Sequence, residues 1–221
     1  MLTPTCITVP GLHGSGPGHW QTWAEYRIPN CRRVRGIDFH KPVIAAWADA
    51  IRNDIRSEAG SVILIAHSFG CLASVVAIAD NNLKVAGVVF VAPASPERFS
   101  ISGLSKENDL PSEGLLNAIP ASLLGVPGIL IASTNDPWMK VTQAQYWAEV
   151  WGLRFTWIQN AGHINTESGY GRWPGLERVV VSLRDRLTAV PLGEIHEKEG
   201  PVKNRFSALV KLRQLTRESI E

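Results

Sequence analysis

Strand-like apolar runs alternate with segments of helical period from the start of the chain to about residue 187. The runs are Cys6–Val9, Arg32–Ile37, Val62–Ala66, Val85–Val91, Gly128–Ser133 and Arg154–Ile158. Between them the pattern predicts helices over Trp20–Tyr26, Val43–Glu58 with Pro42 at its start, Phe69–Ala79, Leu115–Leu123 and Val141–Trp151. A last core helix is expected from about Pro174 to Leu187. Strands separated by helices argue for a parallel sheet covered on both faces. The expected fold class is therefore α/β, a minimal doubly wound sheet of about six parallel strands with helices on both faces and no large cap domain.

The rhythm breaks twice. The stretch from Pro93 to Pro127 is long and rich in Pro, Ser and Gly, and long connections in small domains are usually functional. It reads as a small flap beside a site. After Pro191 the chain turns charged over Glu194–Lys203, and Phe206, Leu209, Val210 and Leu215 then fall on one helical face. The organisation read from this is a domain over residues 1–190 and a charged, amphipathic helical extension over 191–221. The extension is a candidate homodimer contact, and a frayed solvated helix explains the same pattern.

Composition narrows the function classes. A chain of 221 residues with 45% hydrophobic and 19% charged positions suits one soluble domain. Roughly 70% of its unfolded surface can be buried at that size. The 22 basic and 20 acidic residues leave a net charge of +2, with no basic stripe interleaved with aromatics before the tail, so nucleic acid is not an expected partner. Cys6, Cys31 and Cys71 form no Cys-x-x-Cys unit and read as reduced thiols. The start Met1-Leu2-Thr3-Pro4-Thr5 has neither a basic nor an apolar stretch, and no membrane-length apolar run occurs. A cytoplasmic protein with no membrane partner is expected.

The most informative segment is Ile63-Leu64-Ile65-Ala66-His67-Ser68-Phe69-Gly70, an apolar run ending in a serine set between small residues. This is the pattern of a nucleophile elbow, in which a buried strand turns sharply into a helix and pushes the serine hydroxyl clear of the sheet. Small residues two places to either side, Ala66 and Gly70, are needed where a larger side chain would meet the returning helix. Glycine is usual at both places, so Ala66 is a departure of one methyl group.

A serine hydroxyl needs a base to take its proton, and the base needs a partner to fix its tautomer. Asp136 follows the strand Gly128–Ser133, and His163 follows Arg154–Ile158. Ser68, Asp136 and His163 then all lie just past the C-terminal ends of strands, where open α/β sheets place their sites. Each alone has a plainer reading as a turn or loop residue. Together, in the order Ser, Asp, His, they make a candidate catalytic triad of the α/β-hydrolase order. The oxyanion of such a reaction needs N–H donors. One is the backbone N–H of Phe69, which opens the helix after the serine. The second is expected from the loop Pro10-Gly11-Leu12-His13-Gly14-Ser15-Gly16, at Leu12 with His13 as second choice.

That loop lacks the endings of a P-loop or a dinucleotide fingerprint, and His13 and His19 have no supporting ligand at a metal spacing. No metal and no cofactor are expected. Of the eight tryptophans, Trp20, Trp23, Trp147, Trp151 and Trp157 read as core, whereas Trp138 and Trp173 stand close enough to Asp136 and His163 to wall a pocket and contact substrate. Cys71 reads as a small buried helix residue.

The elbow, the Asp136-Pro137-Trp138 turn and the Gly162-His163-Ile164-Asn165 loop together resemble a small branch of the α/β-hydrolases. It is the serine hydrolase family that includes retinoblastoma-binding protein nine and the bacterial YdeN proteins. The distinctive pieces are Pro10-Gly11-Leu12-His13-Gly14-Ser15 with His19-Trp20-Gln21-Thr22-Trp23, and Gly162–Asn165 continuing through Glu167-Ser168-Gly169-Tyr170-Gly171 to Trp173-Pro174. The resemblance covers about Thr5 to Leu187. It implies the α/β-hydrolase fold, a triad of Ser68, Asp136 and His163, and hydrolysis of small esters or related acyl compounds. No Leu-x-Cys-x-Glu segment occurs, so it does not imply retinoblastoma-type partner binding.

The function expected is a carboxylesterase-like serine hydrolase acting on a small-molecule acyl ester through an acyl-enzyme. Two alternatives stay open: a catalytically weak relative serving as a protein-binding module, and a lyase or cofactor-free haloperoxidase on the same fold.

Overall fold

The segment Val62–Ser68 is buried along its whole length because it lies in the middle of the sheet and is covered on both faces. The computed structural model describes residues 3–79, 82–105 and 114–188. The chain divides into units Met1–Ala189 and Val190–Glu221, and all described residues belong to the first. The extension expected over 191–221 lies outside the described residues, as do residues 106–113 of the Pro93–Pro127 stretch.

The main strands are β1 (Thr5–Val9), β2 (Cys31–Arg33), β3 (Val62–Ser68) and β4 (Val85–Pro93), followed by a two-residue hairpin of β5 (Phe99–Ser100) and β6 (Gly103–Leu104), then β7 (Gly128–Ser133) and β8 (Arg154–Ile158). Six of them form one sheet in the order β2-β1-β3-β4-β7-β8, every neighbouring pair parallel. The helices are α1 (Trp20–Arg27), α2 (Ile44–Arg56), α3 (Phe69–Ile78), α4 (Val141–Trp151) and α5 (Pro174–Thr188).

Alternate residues of the central strands divide between two apolar cores, as the two-residue period of a strand requires. Leu64, Val88, Phe90 and Leu130 pack with Trp47, Ile51, Leu72, Trp147 and Trp151 of α2, α3 and α4. Ile63, Ile65, Val89 and Ile131 pack with Trp20, Ala24, Leu176 and Val180 of α1 and α5. The doubly wound architecture follows directly from strands that are apolar on both sides.

Three expectations are corrected by local chemistry. The second strand was expected over Arg32–Ile37 but stops at Arg33. Its partner β1 ends at Val9 before Pro10, and Gly36 at φ 80° turns the chain away. The helix expected over Leu115–Leu123 is one 3-10 turn, Leu115–Asn117, because Pro120 cannot continue it and restricts the residue before it. Trp157, read as core, is 57% exposed, since β8 is the sheet edge.

β2 is held from the helix side by charge. Asp54 of α2, its side chain only 2% exposed, accepts from Arg32 Nη1 at 2.7 Å and Arg35 Nε at 2.6 Å. Burial by itself raises the Asp54 pKa, and these guanidinium hydrogen bonds outweigh it and hold the carboxyl below its ordinary range. Asp54→Ala is expected to cost about 2 kcal/mol, below the about 3 to 5 kcal/mol of a fully buried pair because Arg32 and Arg35 are partly exposed and can rehydrate. A lowered urea midpoint at unchanged m-value checks it.

Candidate active site

β3 passes into α3 without a linking residue, and Ser68 stands at the junction with φ 54° and ψ −127°, a strained backbone for any residue with a side chain. The turn exists because two glycines let backbones touch. A Cβ on Gly70 would lie 2.4 Å from the Val9 carbonyl oxygen and 2.5 Å from that of Pro10. The small residue is thus required by the end of β1, not by the returning helix as the sequence pattern suggested. A Cβ on Gly11 would lie 2.6 Å from Ser68 Cβ. The loop after β1 therefore lies directly against Ser68.

The structure brings Ser68, Asp136 and His163 together. Ser68 Oγ is 2.9 Å from His163 Nε2. His163 Nδ1 is 2.9 and 3.0 Å from the two carboxylate oxygens of Asp136. Asp136 Oδ1 also accepts the Trp138 backbone N–H at 2.8 Å, which orients the carboxylate. With Nδ1–H donated to Asp136, the tautomer leaves Nε2 free to accept the serine proton. All three side chains are buried or nearly so. A chain of this geometry can withdraw a proton from Ser68 Oγ and return it to a group bound at the same place.

The loop that carries His163 is held by side chains from other elements. Ser133 Oγ accepts the Ala161 N–H at 3.0 Å, and Asn135 Oδ1 accepts the Gly162 N–H at 2.7 Å. Ser168 Oγ accepts the His163 N–H at 3.1 Å. Trp20 Nε1–H donates to the Ile164 carbonyl at 2.7 Å, and His67 Nε2 lies 2.9 Å from the His163 carbonyl. Sequence reasoning named none of these residues for the purpose. A signal existed for two of them: His67 is a lone titratable group in an apolar run, and Asn135 is a polar residue directly before Asp136.

Phe69 is the first residue of α3, so its N–H has no acceptor within the helix and sits at the positive end of the helix dipole. The Leu12 N–H has no acceptor among the described residues, whereas that of His13 donates to the Phe39 carbonyl at 2.8 Å. His13, the second choice, is thus already engaged. Trp138 lies beside the site, its ring 5.7 Å from that of His163 and stacked with Phe99. Phe99 comes from the β5–β6 hairpin and also meets Phe69 at 4.6 Å, which seats the hairpin beside the site. Trp173 instead packs edge-on against Trp20 and Tyr170. His13 pairs with His40 and His19 with Trp20 and His67; no group of three metal-ligating side chains gathers among the described residues. Cys71 is buried, and burial pushes its thiol pKa up.

His19 caps α1 by accepting the Gln21 N–H, and burial, with Arg33 and His163 nearby, lowers its pKa to about 4. The unfolded chain takes up a proton near pH 6.5 that the folded protein refuses until about pH 4. Stability from this group is whole above pH 6.5 and lost as the pH falls toward 4, at up to about 1.4 kcal/mol per pH unit. His19→Asn keeps a cap acceptor without the titration, so its melting temperature is expected to fall less than that of the parent between pH 7 and 4.5. Gly11→Ala is expected to lower any Ser68-dependent turnover by about a hundredfold, read as kcat, because the added methyl must displace either Ser68 or the loop beside it.

Known proteins resemble this chain in sequence and fold. The family described as Serine hydrolase matches residues 6–182. A YdeN-like hydrolase from Pectobacterium atrosepticum is 38% identical, with 84% of this chain and 92% of that one covered and a TM-score of 0.72. The ydeN gene product of B. subtilis is 19% identical over 83% of this chain and all of its own, with a TM-score of 0.66. The type II thioesterase BorB of the borrelidin biosynthetic cluster shares the fold at 16% identity, covering 82% of this chain and 93% of its own, with a TM-score of 0.56. No curated protein matches. No helix among the described residues is long and apolar enough to cross a membrane. The chain is a hydrolase of the α/β-hydrolase fold and belongs to the Serine hydrolase family.

Proposed function

We propose that this serine hydrolase cleaves small acyl esters through an acyl-enzyme. The observation that carries the reading is the unbroken hydrogen-bonded chain from Ser68 Oγ through His163 to Asp136, set on a strained elbow. Ser68 Oγ attacks the acyl carbon while its proton passes to His163 Nε2. Asp136, still accepting from Nδ1–H, stabilises the imidazolium. The N–H groups of Phe69 and Leu12 receive the oxyanion. As the intermediate collapses, the carbon–oxygen bond to the alcohol breaks and His163 returns its proton to the leaving oxygen. Water then attacks the acyl carbon and gives one proton to His163; the bond from that carbon to Ser68 Oγ breaks, His163 returns the proton to Oγ, and the acid leaves. Trp138, beside His163 and backed by Phe99, forms a wall for the bound acyl or alcohol group.

The test is labelling with a fluorophosphonate, peptide mapping of the product, and a panel of p-nitrophenyl esters and acyl thioesters of graded length. Modification at Ser68 and ester turnover are expected, with Ser68→Ala unlabelled and lower in kcat by about four orders of magnitude or more. Turnover of thioesters alone would move the assignment to a different leaving group. Folded protein that neither labels nor turns over would replace the reading with that of a binding module.

A further inference from the structure

His67 is the residue before Ser68 in β3, and it makes a contact that the proposed chemistry does not use. Its Nε2 lies 2.9 Å from the backbone carbonyl oxygen of His163. A carbonyl only accepts, so the bond requires His67 to carry its proton on Nε2. The ring is buried, with the His163 ring 4.8 Å away on one side and the His19 ring edge-on at 5.0 Å. Trp20 closes the remaining contact at 5.8 Å, and its own Nε1–H holds the next carbonyl along the same loop, that of Ile164. Ile164 is β-branched yet stands at φ 47°, so the backbone just after His163 is held in a conformation it would not keep unaided.

The two ends of the Ser68–His163 hydrogen bond are thus joined twice. One link is the 2.9 Å contact of Oγ with Nε2. The other runs from the peptide neighbour of Ser68 to the main chain of His163 itself. We propose that His67 is a positioning residue, whose Nε2–H bond to the His163 carbonyl sets the distance between serine and base. The inference rests on the triad reading above. Burial, with His163 and His19 as neighbours, also holds the His67 pKa well below its ordinary value. The ring therefore fixes the loop while adding no positive charge beside the imidazolium that forms at His163.

The discriminating experiment compares His67→Leu and His67→Gln on full-length protein, with kcat expressed per Ser68 titrated by a fluorophosphonate. Glutamine can place its amide N–H near the position of the imidazole Nε2–H, and leucine has no donor. His67→Leu is expected to lower kcat per titrated site about ten- to a hundredfold with KM within about twofold, and His67→Gln to recover to within about threefold of the parent. A purely structural role would lower the titratable fraction and the melting temperature but leave kcat per site unchanged. The parent protein gives a reading that needs no variant to fold: long-range 15N–1H spectra of labelled histidine should show His67 neutral and protonated on Nε2 at pH 6.5, the ordinary histidine pKa, and above. An Nδ1–H tautomer, parental kcat in His67→Leu, or equal losses in both variants would each overturn the proposal. Absent labelling of the parent at Ser68 would instead overturn the triad reading.

Discussion

The arrangement at the sheet's C-terminal edge depends on how closely three backbones approach one another around Ser68. α3 begins against the carbonyls of Val9 and Pro10, and the loop after β1 lies against Ser68 Cβ, both at separations that leave no room for a methyl group. Two glycines, Gly70 and Gly11, meet that constraint. Their smallness is a condition on geometry more than on flexibility, since neither contact depends on a positive φ. With the approach in place, the loop carrying Leu12 lies against Ser68 beside the start of α3, where Phe69 is the first residue. Without it, β1 and α3 would have to part, and the sheet's register with β3 would part with them.

Holding a base beside that serine is a separate problem, because His163 arrives on a loop from the far end of the sheet. β8, the strand before it, is an edge strand with exposed residues along much of its length. Little apolar burial is available there to fix a loop by packing alone. The structure uses side-chain hydrogen bonds instead, from the buried or half-buried Ser133, Ser168, Trp20 and His67 and from the exposed Asn135. Each is worth about 1 kcal/mol net, and together they exceed the about 1 to 3 kcal/mol that Ile164 costs in its left-handed conformation.

Much of this was legible in the chain and some was not, for physical reasons. The six strands and the Ser68, Asp136, His163 order could be read because buried parallel strands are continuous apolar runs and the site lies at their ends. The end of β2 could not, since it depends on where its neighbour β1 stops. Leu115–Leu123 read as a helix from its apolar positions, and Pro120 overrode them. Trp157 read as core because a strand's position in a sheet is a tertiary fact, and at an edge the same side chain meets solvent. The tethers of the His163 loop were hidden for a similar reason: His67 and His163 are 96 positions apart, Trp20 and Ile164 are 144 apart, and nothing local connects either pair.

Two neutral imidazoles lie next to a third that, on the proposed mechanism, becomes charged during each turnover, and this looks at first unfavourable. A cation at His67 would oppose the imidazolium at His163 across a ring separation of 4.8 Å, where repulsion in a poorly solvated interior is strong, and His19 lies against the far side of that contact, 5.0 Å from His67. Burial removes the difficulty by keeping both rings uncharged at neutral pH. What remains is their directional chemistry, a cap acceptor for α1 from His19 and a donor for the His163 carbonyl from His67. An apolar residue could fill either space but supply neither bond, and a lysine or arginine could donate but only as a cation. Histidine held neutral satisfies both demands at once, and the opposing charge is left to Asp136, on the other nitrogen of His163 from the serine.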